Sequence, residues 1–377
     1  MSLHYLLLNQ LCSIQQAGYE VTGISSPGSE VPAIKAAGIH HIAVKMTRHL
    51  FTPIQDLKAF WQLYRIFLSE HFTIIHTHTP KPGFLGQIAA KMAGVPIIVN
   101  TLHGFYFHDH MHPALRRFYI TLEKIVARCS DVILSQSQED IQTAIREGIC
   151  CPKKIKHLGN GIDLRRFTRD IVDEKLLEQK RLELTLPLDV KVVGFVGRLV
   201  AEKGISELLQ AASIVRQSIS EVRFLIIGPV DPEKEDAITP EIANDYGVHD
   251  LCIFTGIRQD MPELYALMDV FVLPSHREGF PRAPMEATAM GVPCVVTDIR
   301  GCRETVEHGR NGLLIPPNNI QALAEAIIHL LADQEKARNM GEEGRRMALE
   351  RFDERIVFEK VNAEYTRLLH EKGLYFQ

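Results

Sequence analysis

The chain has 377 residues, of which 46% are hydrophobic and 23% charged, with a net charge of -4. At ~150 residues per domain that is enough for two domains with cores of their own, and it excludes a disordered chain or a small stapled scaffold. No apolar run reaches the ~18 residues of a membrane span, no basic lead with a small-residue cleavage site opens the chain, and seven cysteines without a C-x-x-C pair read as reduced thiols of a cytoplasmic protein. The charge is uneven: residues 1–165 carry 16 Lys+Arg against 11 Asp+Glu, and the remainder 26 against 35. A basic half therefore precedes an acidic one, and different partners are expected for the two.

In chain order, Leu6, Leu7, Leu11 and Ile14 share one helical face that Gly18 closes. A doubly wound domain opens instead with a strand and a tight glycine turn, so the pattern predicts a chain that starts inside its first helix and lacks that strand. Short β-rich runs then alternate with helical periodicity. Strands are expected at 21–24, 39–44, 73–76, 97–99, 132–135 and 155–158, with helices at 53–69, 82–93, 114–130 and 138–147. A polar helix at 173–183 precedes Pro187, and the scheme then repeats. Strands are expected at 191–196, 223–227, 252–254, 270–273, 295–297 and 313–315, with helices at 204–218, 261–268, 283–290 and 320–333. Val357, Phe358, Val361, Tyr365 and Leu368 give 353–377 the spacing of a terminal helix. Such alternation predicts parallel sheets covered by helices on both faces: an α/β chain of two doubly wound domains.

In open α/β sheets ligands bind beyond the carboxyl ends of the strands, and four segments there carry suitable chemistry. In Gly197–Gly204, Arg198 and Lys203 bracket a turn that leads into a helix, where fixed cations and free N–H groups suit a diphosphate. In 278–286, Glu278 falls in a loop and Glu286 on the next helix; ionised carboxylates accept from paired sugar hydroxyls, while Gly279 lets the backbone approach. Gly301 opens a short helix at 301–304, where Glu304 braces the loop or touches substrate. In the basic half, His103-Gly104 follows a strand near His76, His78 and Lys81.

Together, Gly197-Arg198 with Lys203-Gly204, the E-x7-E pair Glu278 and Glu286, and Gly301 with Glu304 resemble the retaining glycosyltransferases of family four, with GT-B architecture. The segments 76–81 and 102–105 resemble the bacterial surface-polysaccharide branch, and Gly159-Asn160-Gly161-Ile162-Asp163 resembles the family's segment at the end of the first domain. The resemblance implies two Rossmann-like domains facing a central cleft: an acceptor-side domain at 1–165, a linker at 166–189, a donor domain at 190–352, and a terminal helix, 353–377, crossing back to the first. It implies that Arg198 and Lys203 bind the diphosphate of a nucleotide-sugar donor, that Glu286 holds the ribose and Glu278 the donor sugar, and that Gly279, Phe280 and Pro281 orient that sugar. The base would lie against Ile257 and Arg258, and His103 would serve the acceptor side. A glycine-rich loop that the family carries after its first strand is not seen.

The expected activity is transfer of a sugar, with retention, from a nucleotide diphosphate-sugar (uridine favoured over guanosine) to a glycan or lipid-diphosphate-linked acceptor in surface polysaccharide synthesis. No cofactor, metal or nucleic acid is expected. His76-Thr77-His78 and 108–112 invite a metal, but a site needs three or four converging ligands. Arg116, Arg117, Lys124 and Arg128 on one helix, Lys153, Lys154 and Lys156 nearby, and the aromatic run 105–107 suggest an anionic membrane surface as a further partner. Alternatives are a nucleotide-sugar epimerase on the same fold and a donor-binding protein inactive for want of its first strand. A nicotinamide-dependent oxidoreductase is disfavoured, since no G-x-G-x-x-G follows a strand.

Overall fold

The computed structural model describes residues 3–47, 52–108, 111–232 and 234–374. Backbone contacts divide the chain into two compact units, Met1–Gly159 with Arg355–Gln377, and Asn160–Glu354. The first holds α1 (Leu8–Gln16), β1 (Thr22–Ser25), α2 (Val31–Ala36), β2 (His40–Ala43), α3 (Pro53–Glu70), β3 (Ile74–His78), α4 (Pro80–Met92), β4 (Ile97–Leu102), α5 (Pro113–Ala127), β5 (Val132–Ser135), α6 (Gln138–Arg146) and β6 (Ile155–His157). The second holds α7 (Glu174–Glu183), β7 (Lys191–Val196), α8 (Ile205–Ser218), β8 (Val222–Ile227), α9 (Ile242–Asp245), β9 (Cys252–Gly256), α10 (Met261–Ala266), β10 (Val270–Leu273), α11 (Arg282–Ala289), β11 (Cys294–Thr297), α12 (Cys302–Thr305), β12 (Gly312–Ile315), α13 (Ile320–Ala332) and α14 (Gln334–Arg351). A last helix, α15 (Glu354–Glu371), gives all but its first residue to the first unit. All the strands read from the sequence are present, with ends shifted by a few residues, and the pairings between these strands are parallel.

In the first unit β3-β4-β5-β6 form one sheet, and β1-β2 pair separately. Alternation along the strands sorts the helices. Ile97, Val99, Val132 and Leu134 face one side, where Ile14 of α1 and Val361, Tyr365 and Leu368 of α15 cover them. Ile75 and Ile98 face the other, under Leu63 and Phe67 of α3 and Ala89 of α4. Leu102 and Ile133 share that side, under Ile120 and Ala127 of α5. Burial on both faces is what unbroken apolar runs such as Ile97–Val99 and Val132–Leu134 require.

The second unit carries one sheet in the order β12-β11-β10-β7-β8-β9. From β7 the chain builds outward to β9, then returns to pair β10 on the other side of β7. This is the doubly wound order with its reversal between β7 and β10, the position where the loops beyond the strands part to admit a ligand. The polar helix foreseen at 173–183 is α7, capped by Asp173 accepting from the Leu176 amide; it packs on α10 and belongs to this unit.

Candidate active site

Four loops meet at the carboxyl edge of the second sheet. The turn after β7 brings Gly204 (φ +75°) against the loop after β10, so closely that a Cβ would stand 2.1 Å from the Pro274 carbonyl oxygen. Gly301 (φ +88°), after β11, leaves no more room: its Cβ would stand 2.3 Å from the Gly279 carbonyl oxygen. Only glycine fits both the left-handed backbone and the contact at these two places. His276 donates its amide to the Glu202 carbonyl at 2.9 Å, and Arg277 bridges the Glu202 carboxylate at 2.6 Å, tying the same loops again.

On this frame Lys203 and Glu278 are brought together: Lys203 Nζ lies 2.5 Å from Glu278 Oε1, which also accepts from Ser275 Oγ at 2.7 Å. Arg198 donates through Nη1 to Asp231 Oδ2, beyond β8, at 2.8 Å. Both cations thus follow β7, Lys203 held toward β10 and Arg198 toward β8, each with a carboxylate it can exchange for a ligand's phosphate oxygens. Glu286, on α11, belongs to a second cluster. Tyr265 on α10 donates to its Oε2 at 2.9 Å, and poor hydration raises the carboxyl above the usual range against the pull of Arg282, the tyrosine and Arg166. Gly279 is half-buried beneath Gly301, and Pro281 caps α11. The Phe280 carbonyl already accepts from Asn160 Nδ2 at 3.0 Å. Glu304 is half-buried in α12, its amide donating to the Gly301 carbonyl.

Ile257 and Arg258 form a third group after β9. Ile257 is 57% exposed, an open apolar platform. Arg258 bridges Asp260 and Glu183, and Lys180 of α7 joins the same carboxylates. Its charge is taken up by that network, which holds Asp260 far below the normal carboxyl range, so Arg258 anchors the loop. Sequence reasoning missed Asp231, Ser275 and Tyr265. A Gly-Pro turn at a strand end could have pointed to Asp231; nothing distinguishes Tyr265 from an ordinary apolar position of α10.

In the first unit His103 follows β4 and heads a chain of imidazoles. Its Nδ1–H donates to Gln136 Oε1 at 3.1 Å, so Nε2 is the acceptor for His78 Nδ1–H, also at 3.1 Å. His76, stacked on His78, is bonded to Tyr365 Oη at 2.6 Å and Thr101 Oγ1 at 2.7 Å. Burial pushes His103 down to about 4 and His76 to about 3, with His78 also well below normal, so all three are neutral. Lys81 is held by Asp56, Thr47 and Thr52. Among the described residues no three His, Cys, Asp or Glu side chains are arranged to hold a metal ion; Asp109 and His110 lie outside the described residues.

Part of the basic surface read from the sequence is already engaged. Arg116 bridges Glu147 at 2.7 Å and lies over the Phe107 ring, and Lys156 bridges Glu364 at 2.7 Å. Phe105 and Phe107 are core residues stacked on one another, so the aromatic run does not face solvent as the reading required. Their neighbours Leu102, Ile120 and Ile133 explain why: the segment completes the core under α5.

Comparison with known proteins bears on the family and the fold. The sequence pattern of Glycosyltransferase Family 4 matches residues 6–166, and that of Glycosyl transferases group 1 matches residues 178–347. An Escherichia coli protein named UDP-Gal:alpha-D-GlcNAc-diphosphoundecaprenol alpha-1,3-galactosyltransferase is 33% identical over 74% of this chain and 72% of its own. CapM of Staphylococcus aureus, a capsular polysaccharide biosynthesis glycosyltransferase, is 30% identical over 97% of this chain and 94% of its own. Among solved structures, HepE of Anabaena with UDP-glucose superposes with a TM-score of 0.81 at 22% identity, covering 96% of each chain. A glycosyltransferase of Rickettsia africae gives 0.79 at 20%, covering 96% of this chain and 94% of its own. The chain belongs to glycosyltransferase family 4, and it is a glycosyltransferase of the GT-B fold.

Proposed function

We propose that this glycosyltransferase moves a sugar, with retention, from a UDP-linked donor to a lipid-diphosphate-linked sugar during surface polysaccharide synthesis. One observation carries the reading: the turn after β7, where the sheet order reverses toward β10, bears Arg198 and Lys203, and Lys203 is paired with Glu278 of the loop after β10. The Escherichia coli relative and a Campylobacter jejuni relative are both named for diphospho-undecaprenol acceptors, and the solved HepE complexes contain UDP; both support the choice of partners.

The departing diphosphate carries the charge that develops, and Arg198 and Lys203 stabilise it in place of a metal ion. Releasing Glu278 from Lys203 frees a carboxylate for the hydroxyls of the donor sugar. Glu286 accepts from the ribose, Ile257 supports the base, and the backbone at Gly279–Pro281 orients the sugar. Both carboxylates bind hydroxyls, and neither is the nucleophile; a phosphate oxygen takes the acceptor's proton on the face the leaving group vacates. Neutral His103, its Nδ1–H fixed by Gln136, serves the acceptor side.

Donor turnover should require the acceptor, which separates transfer from epimerisation. Arg198→Ala or Lys203→Ala should lower the transfer rate by roughly 100-fold or more, the scale of one lost oxyanion donor. Rates within tenfold of the parent in both variants would overturn the assignment of the diphosphate site.

A further inference from the structure

Helix α3 is apolar on two sides. Ala59, Leu63 and Phe67 point inward and are buried, but Ile54, Leu57, Trp61 and Leu68 are 44–71% exposed. At 100° per residue these four positions fall within an arc of about 60°. Trp61 is braced edge-on by Phe60 at 5.7 Å and Tyr64 at 5.6 Å, so the stripe is ordered by its own helix. Lys58 and Arg65, both exposed, run along its border.

The neighbouring helices repeat the design. α3 packs on α4 and α4 on α5, and the alternation of β3, β4 and β5 puts all three on one face of the unit. On α5, Leu115, Phe118 and Ile125 are exposed at i, i+3 and i+10, with Leu122 half-buried between them and Arg117 and Arg128 alongside. α4 ends on exposed Lys91 and Met92. Among the described residues none of Lys58, Arg65, Lys91, Arg117 and Arg128 forms an ion pair. The acids of these helices do not offset them: Asp56 is spent on Lys81, Glu123 is turned into the core, and Glu70 alone is exposed.

We infer that the outer face of α3, α4 and α5 docks on an anionic phospholipid bilayer, with Trp61, Leu57 and Phe118 entering the headgroup region and the five cations contacting lipid phosphates. An apolar stripe bordered by Lys and Arg is the composition of an in-plane membrane helix, and tryptophan favours the interface itself. Charge decides against a second copy: a two-fold contact through this face would set the cations against one another. No helix among the described residues is long and apolar enough to cross a membrane, so attachment by this face is peripheral. The inference deepens the reading of a lipid-borne acceptor, but its test uses neither donor nor acceptor, so the two fail separately.

Trp61 is the only tryptophan of the chain, which makes the full-length protein its own probe. Vesicles containing phosphatidylglycerol should co-sediment the protein, shift its emission to the blue and, with brominated acyl chains, quench it. Phosphatidylcholine vesicles should do none of these, and added salt should weaken the binding. Leu57→Glu with Phe118→Glu, or Arg65→Glu with Arg117→Glu, should lower partitioning by roughly tenfold or more. These are exposed positions, so melting temperature should stay within a few degrees. Unquenched Trp61 on phosphatidylglycerol vesicles, equal binding by both double variants, or burial of Trp61 through concentration-dependent self-association without lipid would each overturn the inference.

Discussion

Tyr265 shows how much of the proposed donor site depends on a group that never meets solvent. Burial raises the Glu286 carboxyl, and the Tyr265 hydroxyl, after the charge of Arg282, opposes that rise by donating to it. A raised carboxyl pKa means that acceptor capacity is lost as pH falls through it. Tyr265→Phe removes the donor and raises that pKa further, so donor affinity should begin to fail at a higher pH than in the parent. At neutral pH it should weaken by about fivefold, the value of one hydrogen bond; calorimetric titration with nucleotide diphosphates across pH reads both effects. An unchanged pH profile would detach Tyr265 from Glu286. The glutamates, the cations and the glycines were legible because charge and chain reversal leave a pattern in sequence. Tyr265 and Asp231 were not, because their roles come from neighbours that only folding supplies.

Single turns fix the chemistry as firmly as single side chains. The β7–α8 connection has to pass under the Pro274 carbonyl while holding a left-handed backbone, and Gly204 does both. Gly204→Ala meets strain and collision together, and should cost about 2 kcal/mol or more in denaturant unfolding. Lys203, the preceding residue, would move with it, so donor affinity should fall alongside stability; loss of neither would contradict the close approach. The strands were legible because Val- and Ile-rich runs of four to six residues, bounded by turn residues, have few other readings. Helix α14 escaped notice: half of its residues are charged, and only Met340, Gly341, Gly344, Met347 and Ala348 are buried, which leaves too thin an apolar stripe for periodicity to register. The short α2, with proline in its first turn, escaped for want of length.

The two units should answer acid differently. In the first, His76, His78 and His103 are held neutral, with folded pKa values below the unfolded 6.5, so their contribution is lost as pH falls below 6.5. Each such group removes about 1.4 kcal/mol per pH unit through that window. Glu123, pushed up to about 7 by burial and Asp140, works the other way, as one group against three. In the second unit His276 gains a proton more readily through Glu207, and its contribution is fully present below 6.5 and fades as pH rises through its folded value. Between pH 7.5 and 5.5 calorimetry should show one transition moving down while another holds; a single transition drifting upward would be inconsistent with the buried imidazoles. The same division bears on how the protein is made. Val361, Tyr365 and Leu368 complete the interior behind β4 and β5, yet they are translated after the whole of Asn160–Glu354, which is one uninterrupted stretch. On the ribosome, then, the first unit must wait with its hydrophobic strands uncovered until α15 emerges, after the second unit has had the chance to fold.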